Sequence, residues 1–193
     1  MMPGSGTMGM EAVARQFATD KTAMVIRNGL FSMRWTQIFE QGKIPAKHIV
    51  HKARRVGDGV QAPFAPAPLE EVIASIKAEK PAVMMAPHVE TSAGIILPDE
   101  YIIECAKAVH EVGGIFVLDG IASGCAWVDM KKLDIDAYIT APQKGWSGPA
   151  CVGIVMLGER GVDVMKKTQS SSFIVDMNKW HAVMNAYING GHM

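Results

Sequence analysis

Residues 98–120, PDEYIIECAKAVHEVGGIFVLDG, contain the clearest succession of helix, turn and strand in the chain. Proline suits the first turn of a helix and glycine follows its end, so the sequence predicts a helix over Pro98–Val112. The apolar run Ile115–Leu118 then predicts a buried strand that closes on Asp119 and Gly120. This stretch is typical of a repeated unit in which helices cover a sheet.

The same alternation extends in both directions from this stretch. Further helices are predicted at Met8–Ala18, Phe31–Glu40 and Leu69–Lys80. Further strands are predicted at Ala23–Ile26, His48–Val50, Ala82–Ala86, Ala137–Thr140 and Val152–Leu157. Strands separated by helices of about ten residues indicate βαβ units. We therefore predict the α/β class, with three αβα layers and a mostly parallel sheet covered on both faces.

The composition limits the kind of protein. The chain has 193 residues, of which 49% are hydrophobic and 20% are charged, so one globular domain with a sizeable core is expected. Lysine plus arginine and aspartate plus glutamate both number 19, a balance that argues against nucleic acid as a partner. No apolar run has the length of a membrane span, so no membrane partner is expected.

The cysteines bear on the compartment. Cys105, Cys125 and Cys151 are odd in number and widely spaced, which argues against a disulfide framework and favours a reducing compartment. The first residues, MMPGSGTMGM, lack the order of a secretory signal. We therefore expect a cytoplasmic protein. No cysteine or histidine has the spacing of metal ligands, so no metal site is predicted.

Four polar segments follow predicted strands. They are 27–29 (RNG), 88–92 (HVETS), 119–123 (DGIAS) and 143–145 (QKG). Ligands of parallel α/β sheets bind beyond the carboxyl ends of the strands, so these segments are expected to meet in one cleft.

The glycine-rich segment 4–9, GSGTMG, opens the first predicted helix. Its match to GxGxxG does not indicate a dinucleotide site, because no strand is predicted before it. Free backbone N–H groups at a helix N-terminus would suit a phosphate. A plain helix cap is the alternative interpretation.

Asp119 and Lys144 each come shortly after a predicted strand. A carboxylate in a buried position needs a positive partner, which is either the protonated ring nitrogen of a cofactor or a nearby basic side chain. A lysine is usually solvated, but suitable surroundings make it a nucleophile for a Schiff base. A phosphate loop, an aspartate and a lysine in this order would suit pyridoxal phosphate, which offers an anion, a ring nitrogen and an aldehyde.

Five segments together carry a family resemblance. They are GSGTMGMEA (4–12), RNGLFSMRW (27–35), HVETSAGI (88–95), LDGIASG (118–124) and APQKGWSGP (141–149). In this order they resemble the class V aminotransferases of pyridoxal-phosphate fold type I, and most of all the alanine–glyoxylate and serine–pyruvate branch. The resemblance implies the large-domain fold of the pyridoxal-phosphate transferases and pyridoxal 5′-phosphate as the cofactor.

The resemblance also implies roles for residues around the cofactor ring. Lys144 corresponds to the lysine that bonds to the cofactor and later moves the substrate proton, and Asp119 to the aspartate that keeps the pyridine nitrogen protonated. Phe31 stands where this branch often has a tryptophan stacked on the ring, and Ile121 would pack on the opposite ring face.

Other residues would surround the remaining polar groups of the cofactor. Ser5, Gly6 and Thr7 correspond to the residues that hold the phosphate. Thr91 would contact the cofactor near its ring hydroxyl, and Gln143, next to the lysine, would also lie close to the cofactor.

The implied activity is transfer of an amino group from alanine or serine to glyoxylate or pyruvate by a homodimer. Other class V reactions stay open. An aminophosphonate transaminase would share the HVETSAG segment, whereas a cysteine desulfurase or selenocysteine lyase typically has histidine where this chain has Gln143. A non-catalytic phosphate-binding α/β domain is the alternative from another class.

Class V enzymes are longer than this chain, and the resemblance ends at about Lys167. It implies that residues 1–193 form the cofactor-binding large domain, without an N-terminal segment and the small C-terminal domain. That small domain usually supplies the arginine that binds the substrate carboxylate. Residues 1–193 alone are therefore expected to lack a complete substrate site.

Overall fold

Strands and helices alternate along residues 1–192, the part of the chain that the computed structural model describes. The strands in this part are β1 (Met2–Pro3), β2 (Thr22–Arg27), β3 (Lys47–Lys52), β4 (Arg54–Arg55), β5 (Phe64–Ala65), β6 (Val83–Pro87), β7 (Val89–Glu90), β8 (Ile95–Ile96), β9 (Ile115–Asp119), β10 (Ala137–Thr140) and β11 (Val152–Leu157). The helices are α1 (Gly6–Phe17), α2 (Leu30–Gly42), α3 (Leu69–Glu79), α4 (Asp99–Glu111), α5 (Glu159–Lys167) and α6 (Met177–Ile188).

A seven-stranded sheet with the order β1-β11-β10-β9-β6-β2-β3 forms the centre of the fold. The strands from β3 to β10 in this order are parallel to their neighbours. β11 runs antiparallel to β10, and β1 runs antiparallel to β11. β4 pairs with β5, and β7 with β8, in two separate antiparallel ribbons.

Two apolar cores cover the two faces of the sheet. Alternate residues of β2 divide between them: Val25 belongs to the core under α1, α2, α5 and α6, and Met24 to the core under α3 and α4. Apolar side chains therefore cover both faces of the central strands. This explains why β6 and the first four residues of β9 are continuous apolar runs and do not alternate between apolar and polar residues. The predicted three-layer α/β architecture is confirmed.

The predicted helices and strands are all present, with ends that differ by at most two residues. Helix α4 begins at Asp99 and ends at Glu111, so Pro98 occupies the capping position and not the first turn. Helices α5 and α6 were not among the sequence predictions. None of the helices in the described residues is both long and apolar enough to cross a membrane.

The prediction that no strand precedes the glycine loop is wrong. Met2 and Pro3 pair with Gly153 and Val152, and the Gly4 N–H donates to the Cys151 carbonyl oxygen over 2.9 Å. A strand of two residues is too short to show an apolar pattern in the sequence. It forms because it pairs with β11, which lies far along the chain. This pairing fixes the entry of the chain into α1.

Candidate functional site

The four polar segments lie at the carboxyl-terminal edge of the parallel strands, where the sequence predicts them to meet. They follow β2, β6, β9 and β10. Leu30, directly after the first segment, donates its N–H to Ser92 Oγ of the second segment over 2.8 Å. Gly145 packs so closely on Gly124 that a β carbon at Gly145 would overlap the Gly124 backbone, which joins the last two. One continuous surface therefore forms beyond the strand ends.

Asp119 is the last residue of β9 and is buried, with 7% of its surface exposed. Its Oδ1 accepts a hydrogen bond from the Ile121 N–H over 3.0 Å, while Oδ2 accepts none from any of residues 1–192. Burial raises the pKa of Asp119 from 3.8 to about 6, and the nearby Glu90 charge adds to this, against the opposing effects of the Ile121 N–H and Arg34. Within residues 1–192, the site thus holds a buried carboxyl group that forms no ion pair.

Lys144 lies in the turn that follows β10 and its side chain is exposed. Its Nζ is 5.7 Å from the centre of the Phe31 ring, within the range of a cation–π contact. The guanidinium carbon of Arg34 lies at the same distance, 5.7 Å, from that ring. A primary amine, an aromatic ring and a guanidinium therefore meet at the start of α2.

The segment from Ser5 to Thr7 forms the N-terminus of α1 beside this group. Ser5 is the N-cap residue, but its side chain makes no capping hydrogen bond, so first-turn N–H groups stay free for a ligand. A β carbon on Gly6 would lie 2.5 Å from Ile121 Cδ1, so a larger residue here would force the Ile121 side chain to move. Thr7 Oγ1 accepts a hydrogen bond from Arg34 Nη1 over 3.3 Å.

Two other predicted residues have less defined surroundings. Thr91 lies in the same segment as Glu90 but is exposed, and its side chain makes no hydrogen bond within residues 1–192. Gln143 Oε1 is buried without a hydrogen-bond partner in the described residues, and both polar atoms of the buried Asn28 side chain share that property. Unpaired buried amides are uncommon, and both lie just beyond strand ends.

His88 holds two of these segments together. Its backbone N–H donates to the Asp119 carbonyl oxygen over 2.9 Å. Its ring Nδ1 forms a hydrogen bond with Ser123 Oγ over 2.7 Å. Burial lowers the pKa of His88, with a smaller opposing effect from Asp99, so the ring favours the neutral form. In residues 1–192 no cluster of histidine, cysteine, aspartate and glutamate could hold a metal ion.

Glu90 and Arg34 are two charged residues of this surface to which the sequence analysis gave no role. Glu90 is fully buried, and its carboxylate accepts hydrogen bonds from the backbone of Phe31 and Ser32. An acidic residue three positions after the end of the buried strand β6 is the signal that could have revealed it. Arg34 gives no such signal, because its role depends on α2 lying against α1.

A match to a family model shows to which protein family the chain belongs. The model described as "Aminotransferase class-V" matches residues 5–187, which is nearly the whole chain. The chain belongs to the class V aminotransferase family. The match also corrects the sequence analysis, which ended the resemblance at about Lys167; α5 and most of α6 lie within the family's range.

Several class V aminotransferases are similar over most of this chain. Alanine–glyoxylate aminotransferase 1 of Saccharomyces cerevisiae is 24% identical, with 98% of this chain and 49% of the yeast protein covered. L-aspartate–glyoxylate aminotransferase of Paracoccus denitrificans is 25% identical, with 86% and 40% covered. The chain spans about half the length of these relatives.

A solved structure gives the same result for the fold. Ureidoglycine–glyoxylate aminotransferase from Bacillus subtilis superimposes with a TM-score of 0.74 and is 25% identical, with 96% of this chain and 45% of that chain covered. The predicted pyridoxal-phosphate transferase fold is therefore confirmed. Class V aminotransferases depend on pyridoxal phosphate, so the predicted cofactor is confirmed as that of the family.

The residues at the strand ends fit pyridoxal phosphate. The unpaired Oδ2 of the buried Asp119 can accept a hydrogen bond from a protonated ring nitrogen, and the uncapped first turn of α1 can receive a phosphate. The Lys144 amine and the Phe31 ring supply a nucleophile and a stacking surface side by side. The individual roles of these residues stay predictions.

Proposed function

We propose that the protein containing this chain is a pyridoxal-phosphate-dependent transaminase that moves an amino group from a small amino acid, alanine or serine, to glyoxylate or pyruvate. The observation that carries the proposal is Asp119, a buried carboxyl at the end of a central strand with one oxygen unpaired and a pKa raised to about 6. The names of the yeast and Paracoccus relatives, both glyoxylate aminotransferases, support the acceptor.

When bound, pyridoxal phosphate supplies an electron sink for the electrons released at the substrate Cα. Asp119 holds a proton on the pyridine nitrogen, since its Oδ2 has no other partner among residues 1–192 and a cation beside it relieves the cost of the buried charge. The Ile121 N–H keeps the other carboxylate oxygen in place. Ile121 and Phe31 would supply apolar contacts to the ring.

Lys144 has two tasks in this proposal. Its Nζ would hold the cofactor before substrate arrives, and the released amine would then carry the proton that leaves the substrate Cα. The distance of 5.7 Å from Nζ to the Phe31 ring centre supports this role, because it places the amine beside the ring that would stack on the cofactor. Thr91 and Gln143 complete the polar contacts next to it.

The start of α1 would hold the phosphate of the cofactor. The free N–H groups of Gly6 and Thr7 and the positive end of the helix attract an anion, and the Ser5 and Thr7 hydroxyls add donors. The Arg34 guanidinium, bonded to Thr7 Oγ1, brings a full positive charge to the same place. Cation and helix end together favour a doubly charged phosphate over a neutral ligand.

We also propose that residues 1–193 are the cofactor-binding large domain, that the full-length protein is a cytoplasmic homodimer, and that a small domain elsewhere supplies the arginine for the substrate carboxylate. Exposed apolar side chains support burial in a larger assembly: Tyr187 and Ile188 at the end of α6 are 60% and 74% exposed. The free Cys125 and Cys151, both exposed, support a reducing compartment.

Titration with pyridoxal phosphate tests the proposal. We expect the chain to bind the cofactor with a change in its visible absorption spectrum. Conversion of the bound cofactor by alanine or serine in a half-reaction is expected of the full-length protein, which holds the complete substrate site. The Lys144→Ala variant serves as the control that lacks the spectral change. A wild-type spectrum identical to that of free pyridoxal phosphate would overturn the proposed function.

A further inference from the structure

The first turn of α2 is capped by a segment that lies far from it in the sequence. The N–H groups of Leu30, Phe31 and Ser32 donate to Ser92 Oγ at 2.8 Å, Glu90 Oε1 at 3.2 Å and Glu90 Oε2 at 2.9 Å. First-turn N–H groups usually find a partner in the side chain of the N-cap residue. The N-cap here is Gly29, which has no side chain to offer. The loop after β6 therefore supplies the cap.

The Glu90 carboxylate is fully buried and fully bonded. Besides the two N–H groups, it accepts hydrogen bonds from Ser32 Oγ over 2.7 Å and from Ser92 Oγ over 2.6 Å. Burial alone would raise the pKa of Glu90, but the hydrogen bonds from Ser92, Ser32 and Phe31 outweigh burial and lower it. Glu90 is thus an anion at the positive end of a helix, where the charge is stabilised.

Close packing keeps this contact in one arrangement. A β carbon at Gly29 would overlap Ser92 Oγ and lie 2.7 Å from Glu90 Cγ, so the chain before α2 lies directly on the Glu90 side chain. Ser32 Oγ also accepts hydrogen bonds from the N–H groups of Asn28 and Gly29. The start of α2 cannot rotate without breaking several of these bonds at once.

We propose that Glu90 is a positioning residue that holds the first turn of α2, and with it the Phe31 ring, next to Lys144. This inference rests on the proposed function, since Phe31 is the ring that would stack on the cofactor. Glu90 acts through the Phe31 backbone and does not itself touch the cofactor. Its negative charge has a second effect, because it contributes to the raised pKa of Asp119.

The test compares Glu90→Gln with a matched control, Asp136→Asn, in the cofactor-free chain. Asp136 is also a buried carboxylate, 2% exposed, and its Oδ2 accepts a backbone hydrogen bond from Phe116 over 2.7 Å. It precedes β10 and so lies at the opposite edge of the sheet. Both variants keep the size of the side chain, and both place an amide where N–H groups converge.

Three quantities are measured for each protein: hydrogen exchange of the Phe31 and Ser32 amides, the Asp119 titration by carbon NMR, and the dissociation constant of pyridoxal phosphate. For Glu90→Gln we expect exchange of both amides to rise at least about tenfold, the pKa of Asp119 to fall, and cofactor binding to weaken at least about tenfold. Asp136→Asn should leave the amide exchange, the Asp119 titration and the cofactor dissociation constant near their wild-type values. This holds even if it lowers the melting temperature as much as Glu90→Gln does.

Unchanged exchange at Phe31 and Ser32 in Glu90→Gln would overturn the proposal. If Glu90→Gln does not fold, Ser92→Ala answers the same question, since it removes one hydrogen bond to Glu90 and the acceptor for Leu30. It should raise exchange at Leu30 and Phe31, and no rise there would equally overturn the proposal. A wild-type chain that binds no pyridoxal phosphate would refute the proposed function, while the exchange rates would still decide the role of Glu90.

Discussion

Gly6, in the first turn of α1, lies directly against Ile121, two residues beyond the end of β9: a β carbon on Gly6 would be 2.5 Å from Ile121 Cδ1 and 2.8 Å from Cγ1. This contact links the segment proposed to hold the phosphate to the residue proposed to pack on the cofactor ring. The spacing between phosphate and ring is fixed in the ligand, so the protein must hold these two segments at a fixed separation.

Gly6→Ala should therefore cost stability and weaken cofactor binding together. The added methyl overpacks a tight contact, and such changes typically cost about 1–3 kcal/mol. Removing the Ile121 branch in Gly6→Ala/Ile121→Ala should recover part of the loss. A double-mutant cycle of unfolding free energies is expected to give a coupling of about 1 kcal/mol. Strictly additive effects would mean that the two residues are not in contact.

Asp119→Asn should stabilise the cofactor-free chain at neutral pH while abolishing transamination. The pKa of Asp119 rises from 3.8 to about 6 on folding. The folded state then holds a proton that the unfolded state releases, so this residue makes stability fall as the pH rises from about 4 to about 6. Above that window the charged form costs up to about 3 kcal/mol, because one pKa unit corresponds to about 1.4 kcal/mol.

Chemical denaturation of both proteins without cofactor at pH 4 and pH 7.5 measures this effect. The asparagine variant should gain stability relative to wild type between the two pH values. Equal pH dependence in the two proteins would contradict a buried, unpartnered Asp119. In full-length protein, an unchanged transamination rate would contradict its role at the ring nitrogen.

Replacement of Phe31 should change cofactor affinity according to the size of the ring. Phe31→Leu removes the stacking surface and should weaken binding of pyridoxal phosphate by about tenfold, since aromatic stacking contributes roughly 0.5–1.5 kcal/mol. Phe31→Trp restores the larger ring that this branch of the family often has and should strengthen binding. Fluorescence titration measures both. If leucine and tryptophan bind equally well, the ring does not stack on the cofactor.

Arg34→Gln should weaken binding of pyridoxal phosphate by about tenfold and of inorganic phosphate by a similar factor, because the charge beside Thr7 is lost. Arg55→Gln is the matched control. Arg55 also lies over an aromatic ring, 5.6 Å from the centre of Phe64, but it makes no contact with Thr7. Calorimetry at two salt concentrations measures how much added salt weakens phosphate binding. This weakening should be smaller in Arg34→Gln than in wild type, because the variant has lost a charge that salt would screen. Equal losses in both arginine variants would argue against a specific role for Arg34.

The sequence was most informative where one segment carries its own signal. The apolar run before Asp119 predicts β9, and parallel-sheet geometry then brings Asp119 to the edge occupied by the segments around Glu90 and Lys144. These predictions need only local patterns and a general rule about sheets. They predicted that the polar segments after the parallel strands lie at one edge of the sheet, without any contact being known.

The sequence was least informative where a residue depends on a distant partner. The carboxylate of Glu90 bonds to Ser32 and Phe31, which lie 58 and 59 positions earlier in the chain. The strand Met2–Pro3 exists because β11 pairs with it, and β11 itself runs antiparallel, a direction that its apolar pattern does not encode. Such features follow from tertiary packing, which no window of sequence contains.

Borohydride reduction of the chain loaded with pyridoxal phosphate, followed by peptide mapping, tests the central claim most directly. Reduction makes the bond between a lysine and the cofactor permanent, so mass spectrometry can locate it. We predict a single pyridoxyl group on Lys144, in the turn after β10. Label on Lys131, Lys132 or Lys166 in its place, or no label at all, would contradict both the assignment of Lys144 and the proposed function.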